Sequence, residues 1–258
     1  MIEAPSGDIL GPQRLRVATY NIHKGVQGLG PTRRLEIHNL ALAVDSLDAD
    51  IVCLQEVRAE NRREAQFFER WPTLPQADFL APLGYEVAYH TNAVTKDGEH
   101  GNALLTRWPI IHVRHEDMSD HRFEQRGLLH AELRVLGAPL HVIVVHFGLI
   151  PASRLRQALQ LRRYIAREVP LDEALLVAGD FNDWGTRVQR LLRVDALKGF
   201  EGERTLTYPS RFPVAQLDHI YARGMLPLSL QAPRGRVWRR MSDHLPLIAE
   251  FQLAAHAR

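Results

Sequence analysis

Between residues 85 and 147 five short apolar segments (85–90, 102–106, 110–115, 127–135 and 139–147) follow one another, punctuated by Gly84, Pro109, Gly137 and Pro139. Their lengths and their β-branched, alternating character are those of strands bounded by turns. A parallel neighbour needs a crossover of a dozen or more residues, usually a helix, so strands that succeed one another this closely favour antiparallel pairing. A chain carrying this stretch must therefore build sheet, and much of that sheet must be antiparallel.

The flanks differ. Leu15 to Ile22 reads as a strand, and Ile37, Leu40, Ala41, Val44 and Leu47 recur at helical spacing before the apolar run Ile51 to Val57. After the five strands, Leu155, Ala158, Leu159, Ile165 and Ala166 align along one side of residues 152–168, with arginines outward, which predicts a surface helix. A strand at 174–178, a short helix near 186–194, and strands near 216–222 and 246–252 complete the pattern. Mixed strands with a few helices predict sheet layers flanked by helices. No repeat or linker divides the 258 residues, so we expect an N-terminal extension at 1–13 and one domain over 14–254. With 45% hydrophobic and 24% charged residues the chain can bury a full core, which excludes disordered and fibrous classes. Cys53 is the single cysteine, so neither an internal disulfide nor a thiolate metal cluster can form, and we expect it to pack as a small apolar side chain.

The start MIEAPSGDIL has neither the basic residues nor the apolar run of a secretory signal, and the most apolar stretch, 141–151, is shorter than the roughly 20 residues of a membrane span. A cytoplasmic location is expected. Net charge is only +2, yet residues 187–240 hold 11 Lys and Arg against 4 Asp and Glu. Such asymmetry suits a basic surface facing a polyanion or an anionic membrane, with solvated charge as the plain alternative. Only Lys24, Lys96 and Lys198 among the 32 basic residues are lysine, a bias that fits either guanidinium recognition of phosphate or genome composition.

Polar residues able to do chemistry fall at the ends of the apolar runs: Asn21 after RVATY, Glu56 after IVCLQ, His146 after HVIVV, Asp180 and Asn182 after ALLVAG, Asp218 and His219 after VAQL, and Asp243 and His244 in MSDHLPL. Strand ends place such groups at a sheet rim, where several can converge on one pocket. Glu56, Asp180 and Asp243, with Asn21 and Asn182, offer the oxygen donors that Mg²⁺ or Mn²⁺ prefers. A hard cation among carboxylates is the usual equipment of phosphoryl chemistry. Asp218 and His244 form a candidate pair in which the carboxylate fixes the ring of the base.

The segments TYNIHKG (19–25), LQEV (54–57), GNALLTRWPI (101–110), VVHFGL (144–149), AGDFND (178–183), LDHIY (217–221) and SDHLPL (242–247) resemble, in order, the motifs of the endonuclease/exonuclease/phosphatase superfamily. The resemblance implies a four-layer α/β sandwich, two mixed, mostly antiparallel sheets face to face with helices outside. It implies metal binding at Glu56 and Asp243 with Asn21 in support, water activation and phosphate contact at Asp180 and Asn182, and Asp218 orienting His244. His146 resembles the histidine that deoxyribonuclease- and sphingomyelinase-like members place against the scissile phosphate. His23 stands where abasic-site endonucleases carry an acid, which disfavours abasic-site repair.

The expected activity is in-line hydrolysis of a phosphodiester with Mg²⁺ or Mn²⁺, with His244 or Asp180 as base and His146 and Asn182 stabilising charge. Nucleic acid is the favoured substrate because the basic segment surrounds the late motifs. A lipid-headgroup phosphodiesterase at an anionic membrane surface, a phosphomonoesterase and a non-catalytic phosphate-binding module are the alternatives, and no obligate protein partner is expected. Taken singly, Asp180 and Asn182 also read as turn or helix-cap residues, and His146, like most of the 13 histidines, as a packed one. Asn102, the loop His121, Arg122 and Arg126, the tryptophans 108, 184 and 238, and the segment 208–211 can each line a pocket or simply pack.

Overall fold

Two strand–helix–strand units set the frame, because each joins two parallel strands through one helix. The computed structural model describes residues 13–193, 197–200, 202 and 204–253. Its strands are β1 (Arg14–Asn21), β2 (Val26–Gln27), β3 (Arg34–Leu35), β4 (Ile51–Val57), β5 (Glu86–Thr95), β6 (Gly98–Thr106), β7 (Ile110–Asp117), β8 (Gly127–Val135), β9 (Ala138–His146), β10 (Ala174–Asp180), β11 (Asp218–Arg223), β12 (Met225–Gln231) and β13 (Leu247–Leu253). Its helices are α1 (Ile37–Ser46), α2 (Arg62–Phe67), α3 (Gln76–Leu80), α4 (Pro151–Glu168), α5 (Arg187–Leu192) and α6 (Trp238–Met241). The expected extension at 1–13 lies, apart from residue 13, outside the described residues.

One sheet has the order β12-β13-β1-β4-β6-β5 and the other β11-β10-β9-β8-β7. Only β1 with β4 and β9 with β10 run parallel, joined through α1 and α4; every other pairing in the two sheets is antiparallel. Alternation along each strand then sorts the side chains. Leu15, Val17, Ile51, Cys53, Leu129, Ala131, Val142, Val144, Leu176 and Ala178 fill the space between the sheets. Ala18, Tyr20, Val52 and Leu54 face α1, α3 and α6, whereas Ile143, Val145, Leu175 and Val177 face α4 and α5. Four layers result, as the sequence predicts. Cys53 packs in the central layer, where burial pushes its thiol up.

The sequence left β12 unread because Pro227 argues against a strand; it pairs at the edge of its sheet with a register shift at that proline, where a missing donor is tolerated. The brief helices α2, α3 and α6 are too short to show a period.

On the outer face of the second sheet runs a buried polar chain. Tyr164 of α4 lies 2.9 Å from His130 Nδ1, His130 Nε2 lies 2.9 Å from His141 Nδ1, and His141 Nε2 meets Glu173. If Glu173 accepts, every donor points one way: Tyr164 to His130, His130 to His141, His141 to Glu173. Both rings are then neutral and fully satisfied. Burial pushes His130 down to about 4.

Candidate functional site

The face of each central strand that fills the inter-sheet core continues beyond it into polar residues. On β1 the sequence Leu15, Val17 leads to Thr19 and Asn21; on β9 Val142, Val144 leads to His146; on β10 Leu176, Ala178 leads to Asp180. Period-two alternation therefore aims these polar side chains into the same gap between the sheets. Parallel register sets Asp180 beside His146, and antiparallel register sets Asp180 beside Asp218. The carboxyl ends of the parallel strands thus converge on one place, the usual position of a ligand in open α/β sheets.

Two backbone features complete the convergence. Gly179 lets β10 approach β9 so closely that a Cβ there would sit 1.9 Å from the Val145 carbonyl oxygen. Glu56 would by alternation face the helices, but it adopts φ +57° where the β4–β6 register shifts, and the bulge turns it to the site.

The buried centre is a network of Asn21, Asp180, His146, Asp218 and His244. Asn21 Nδ2 donates to Asp180 Oδ2 at 3.1 Å, a bond between the two sheets. Asp180 Oδ1 accepts the Asn182 amide at 2.9 Å, and Asp180 Oδ2 lies 3.6 Å from Nε2 of both His146 and His244. His244 Nδ1 donates to Asp218 Oδ2 at 2.9 Å, fixing the ring so that Nε2 faces Asp180. Ser242 Oγ accepts the His244 amide and donates to the Asn21 carbonyl, tying the last loop to β1. Asn182, at φ +48°, donates from Nδ2 to the Phe147 carbonyl at 2.9 Å, leaving its second amide hydrogen open.

Electrostatics follow from burial and neighbours. Burial, with the Asp218 charge, raises Asp180; against burial, the carboxylates of Asp218 and Asp180 raise His244. Those two groups hold proton affinity across a 3.6 Å gap. Burial and the Arg126 charge keep His146 neutral, well below its ordinary value.

Glu56 and Asp243 stand beside this network as its more open carboxylates. Lys24 Nζ lies 2.7 Å from Glu56 Oε2, and His23 Nδ1 lies 3.2 Å from Asp243 Oδ1. Burial opposes ionisation of Glu56, but the charge of Lys24 and its hydrogen bond hold it well below the usual carboxylate range; Asp243 is likewise lowered against burial by the His23 hydrogen bond. Among the described residues, ligand atoms of Asp180, Asp218 and His244 also come within 4.8 Å of one another, a group able to hold a metal.

All eight residues read from the sequence thus sit at one rim. The plain cap reading belongs to Asp183 instead, whose carboxylate accepts the Gly185 and Val188 amides at the start of α5. Asn102 braces β6 by donating to the Gly127 and Val144 carbonyls, and Trp108 and Trp238 pack against cores. Trp184 is 58% exposed and packs edge-on to Tyr208, whose ring centroid lies 4.8 Å from that of His244. Lys24, Gln76 and Ser242 were not named as site residues: Lys24 and Ser242 lie inside TYNIHKG and SDHLPL, segments whose signal was assigned to Asn21 and to Asp243 and His244, and nothing local marks Gln76.

A model of the endonuclease/exonuclease/phosphatase family matches residues 18–244. The chain is 39% identical over 246 residues to the uncharacterized protein YbhP of Escherichia coli K12, covering 92% of this chain and 96% of that protein. Among solved structures it resembles an endonuclease/exonuclease/phosphatase from Beutenbergia cavernae (TM-score 0.72, 20% identity, 94% of this chain and 72% of that one). It also resembles the human Nocturnin catalytic domain (0.71, 20%, 96% of each) and D. rerio TDP2 complexed with single-strand DNA product (0.65, 17%, 93% and 99%).

Proposed function

Because the chain belongs to the endonuclease/exonuclease/phosphatase family, whose members are typically hydrolases of phosphoester bonds, we propose that it is a divalent-metal-dependent phosphodiester hydrolase acting first on nucleic acid. The observation that carries this is the buried Asn21–Asp180–His244–Asp218 network, with His146 on one side and the open carboxylates Glu56 and Asp243 on the other.

The donor set suits Mg²⁺ or Mn²⁺: Glu56 and Asp243 offer carboxylate oxygens, and a cationic Lys24 side chain already stands against Glu56. Glu56 and Asp243 would hold the ion, with the Asn21 side-chain oxygen adjoining. When bound, a divalent ion supplies charge neutralisation at a phosphate oxygen and at the leaving oxygen. Asp180, raised by burial, is the group we assign to accept the proton of the attacking water. His244, held by Asp218, keeps its proton and donates from Nε2 toward the phosphate, while His146 and the open Asn182 hydrogen face the charge that builds in the transition state.

Nucleic acid leads because exposed arginines at 187, 190, 211, 236, 239 and 240 crowd the segments around the late motifs, the pattern of phosphate-tracking surfaces. One observation favours a lipid headgroup as second reading: Phe123, Leu149, Trp184 and Phe212 are exposed on loops that adjoin the rim. Hydrolysis of bis(p-nitrophenyl) phosphate with Mg²⁺, lost on chelation and in Asp180→Ala, tests the chemistry. Absence of turnover with any divalent ion refutes it. Single-stranded DNA, RNA and phosphatidylglycerol vesicles offered in parallel test the substrate, and cleavage of vesicle lipid alone overturns the nucleic-acid assignment.

A further inference from the structure

Resting on the metal-binding role given to Glu56, we propose that Lys24 is a resident counter-cation that competes with the divalent ion for Glu56 and, once displaced, faces the substrate phosphate, so that metal and phosphate bind cooperatively.

The backbone is built to deliver this side chain. His23, Lys24 and Gly25 have φ of +47°, +60° and +71°, three successive left-handed residues of which only the last is glycine. Such strain persists only where the surroundings over-determine it, and it concentrates at functional sites. Here Asn21 Oδ1 accepts the His23 amide, Gln76 Nε2 donates to the Lys24 carbonyl at 2.9 Å, and the Gly25 amide donates to the Ile22 carbonyl. Gln76 also accepts the Arg58 amide through Oε1, so one side chain clamps the Lys24 turn to the segment just after Glu56.

Other cations near Glu56 are disposed differently. Arg58 turns its guanidinium toward Glu64, 3.8 Å away, and His23 lies on Asp243. Lys24 alone among the described residues makes an ion pair with Glu56, at 2.7 Å, with its side chain about one-third exposed and so free to swing. The residue type matters in a chain whose basic side chains are arginine in all but three cases. An ammonium is a compact point charge on a flexible stem, able to occupy the place of a small cation and leave it, whereas a guanidinium would grip the carboxylate with two parallel hydrogen bonds. A divalent ion arriving at Glu56 and Asp243 meets that ammonium and is repelled. A phosphate arriving with the ion gives Lys24 a new anionic partner, and linkage requires that each ligand then tightens the other by the same factor.

The test is Mn²⁺ binding to the purified full chain, read from the paramagnetic resonance of free Mn²⁺, for wild type, Lys24→Met, Lys24→Arg and Glu56→Gln, with and without inorganic phosphate. Lys24→Met is expected to bind Mn²⁺ about tenfold more tightly without phosphate, within the usual range of coupling between sites. Phosphate is expected to tighten Mn²⁺ binding in wild type and much less in Lys24→Met, and Lys24→Arg is expected to bind Mn²⁺ no better than wild type. Unchanged or weaker Mn²⁺ binding by Lys24→Met overturns the proposal. If Glu56→Gln binds Mn²⁺ as wild type does, the metal-site reading itself fails, which separates the two. A variant-free measurement stands beside these: acetylation of the wild-type chain read by mass spectrometry, where Lys24, Lys96 and Lys198 are the only lysines. Mg²⁺ is expected to speed labelling of Lys24 severalfold relative to the other two, and equal rates with and without Mg²⁺ count against it.

Discussion

Lowering the pH should unfold this protein partly through a histidine on the outer face of the second sheet, outside the candidate site. His130 is buried between β8 and α4, accepts Tyr164 at Nδ1 and meets His141 at Nε2; His141 in turn meets Glu173, and the charges of Arg114 and Glu168 also reach His130. Burial takes its pKa from 6.5 down to about 4. A base whose folded value is depressed binds its proton more readily when unfolded, so stability is intact above about pH 6.5 and is lost as pH falls toward 4. At about 1.4 kcal/mol per pH unit, the depression corresponds to a ceiling of about 3 kcal/mol. The assay is urea denaturation of wild type and His130→Gln at pH 7.5, 6, 5 and 4.5, scoring the difference in slope with pH. His130→Gln should be less stable at pH 7.5 by about 1 to 3 kcal/mol, because Tyr164 and His141 lose a partner, and its stability should fall less on acidification. Parallel pH profiles for the two proteins would refute the reasoning, whatever the offset between them.

Replacing Asp218 by Asn should cut turnover by about 10²- to 10³-fold with little change in substrate binding, since it frees the His244 ring without touching substrate; a kcat within threefold of wild type would dismiss the pair. Gly179→Ala should destabilise by about 3 kcal/mol and abolish activity together, because the added methyl meets the Val145 carbonyl at 1.9 Å and wedges β9 from β10. An unchanged melting temperature would show that the strands yield. Binding of a single-stranded oligonucleotide to a catalytically silent Asp180→Asn chain should weaken steeply between about 50 and about 200 mM salt; a flat salt dependence would remove phosphate contacts from the account.

The layers were legible because apolar alternation is a property of neighbouring residues: the five strands from 85 to 147, the helix now α4 and both parallel units can each be read within a short window. The eight rim residues were legible because they sit where those windows end. Asp180 and Asn182 in AGDFND stand beside His146 only after β9 and β10 pair, yet each marks a strand terminus on its own. The role proposed for Lys24 was not legible, since it depends on a left-handed turn pinned by Gln76, 52 residues away. Glu56 was legible as the polar residue that ends the run IVCLQ, although strict alternation would point it to the wrong face; the bulge that redirects it is a pairing event no local pattern records. β12 was hidden by Pro227, which is compatible with strand only because that strand is an edge.

The bond from Asn21 to Asp180 crosses from one sheet to the other. Reactive groups divided in this way behave like two halves of a caliper, whose gap is set by the thickness of the oil-like filling behind the jaws. Trimming Leu176 or Val142, which lie behind Asp180 and His146 on the same strands, should therefore alter reaction rate before it alters secondary structure, and evolution of activity here can proceed by re-spacing two slabs rather than by exchanging the groups they carry.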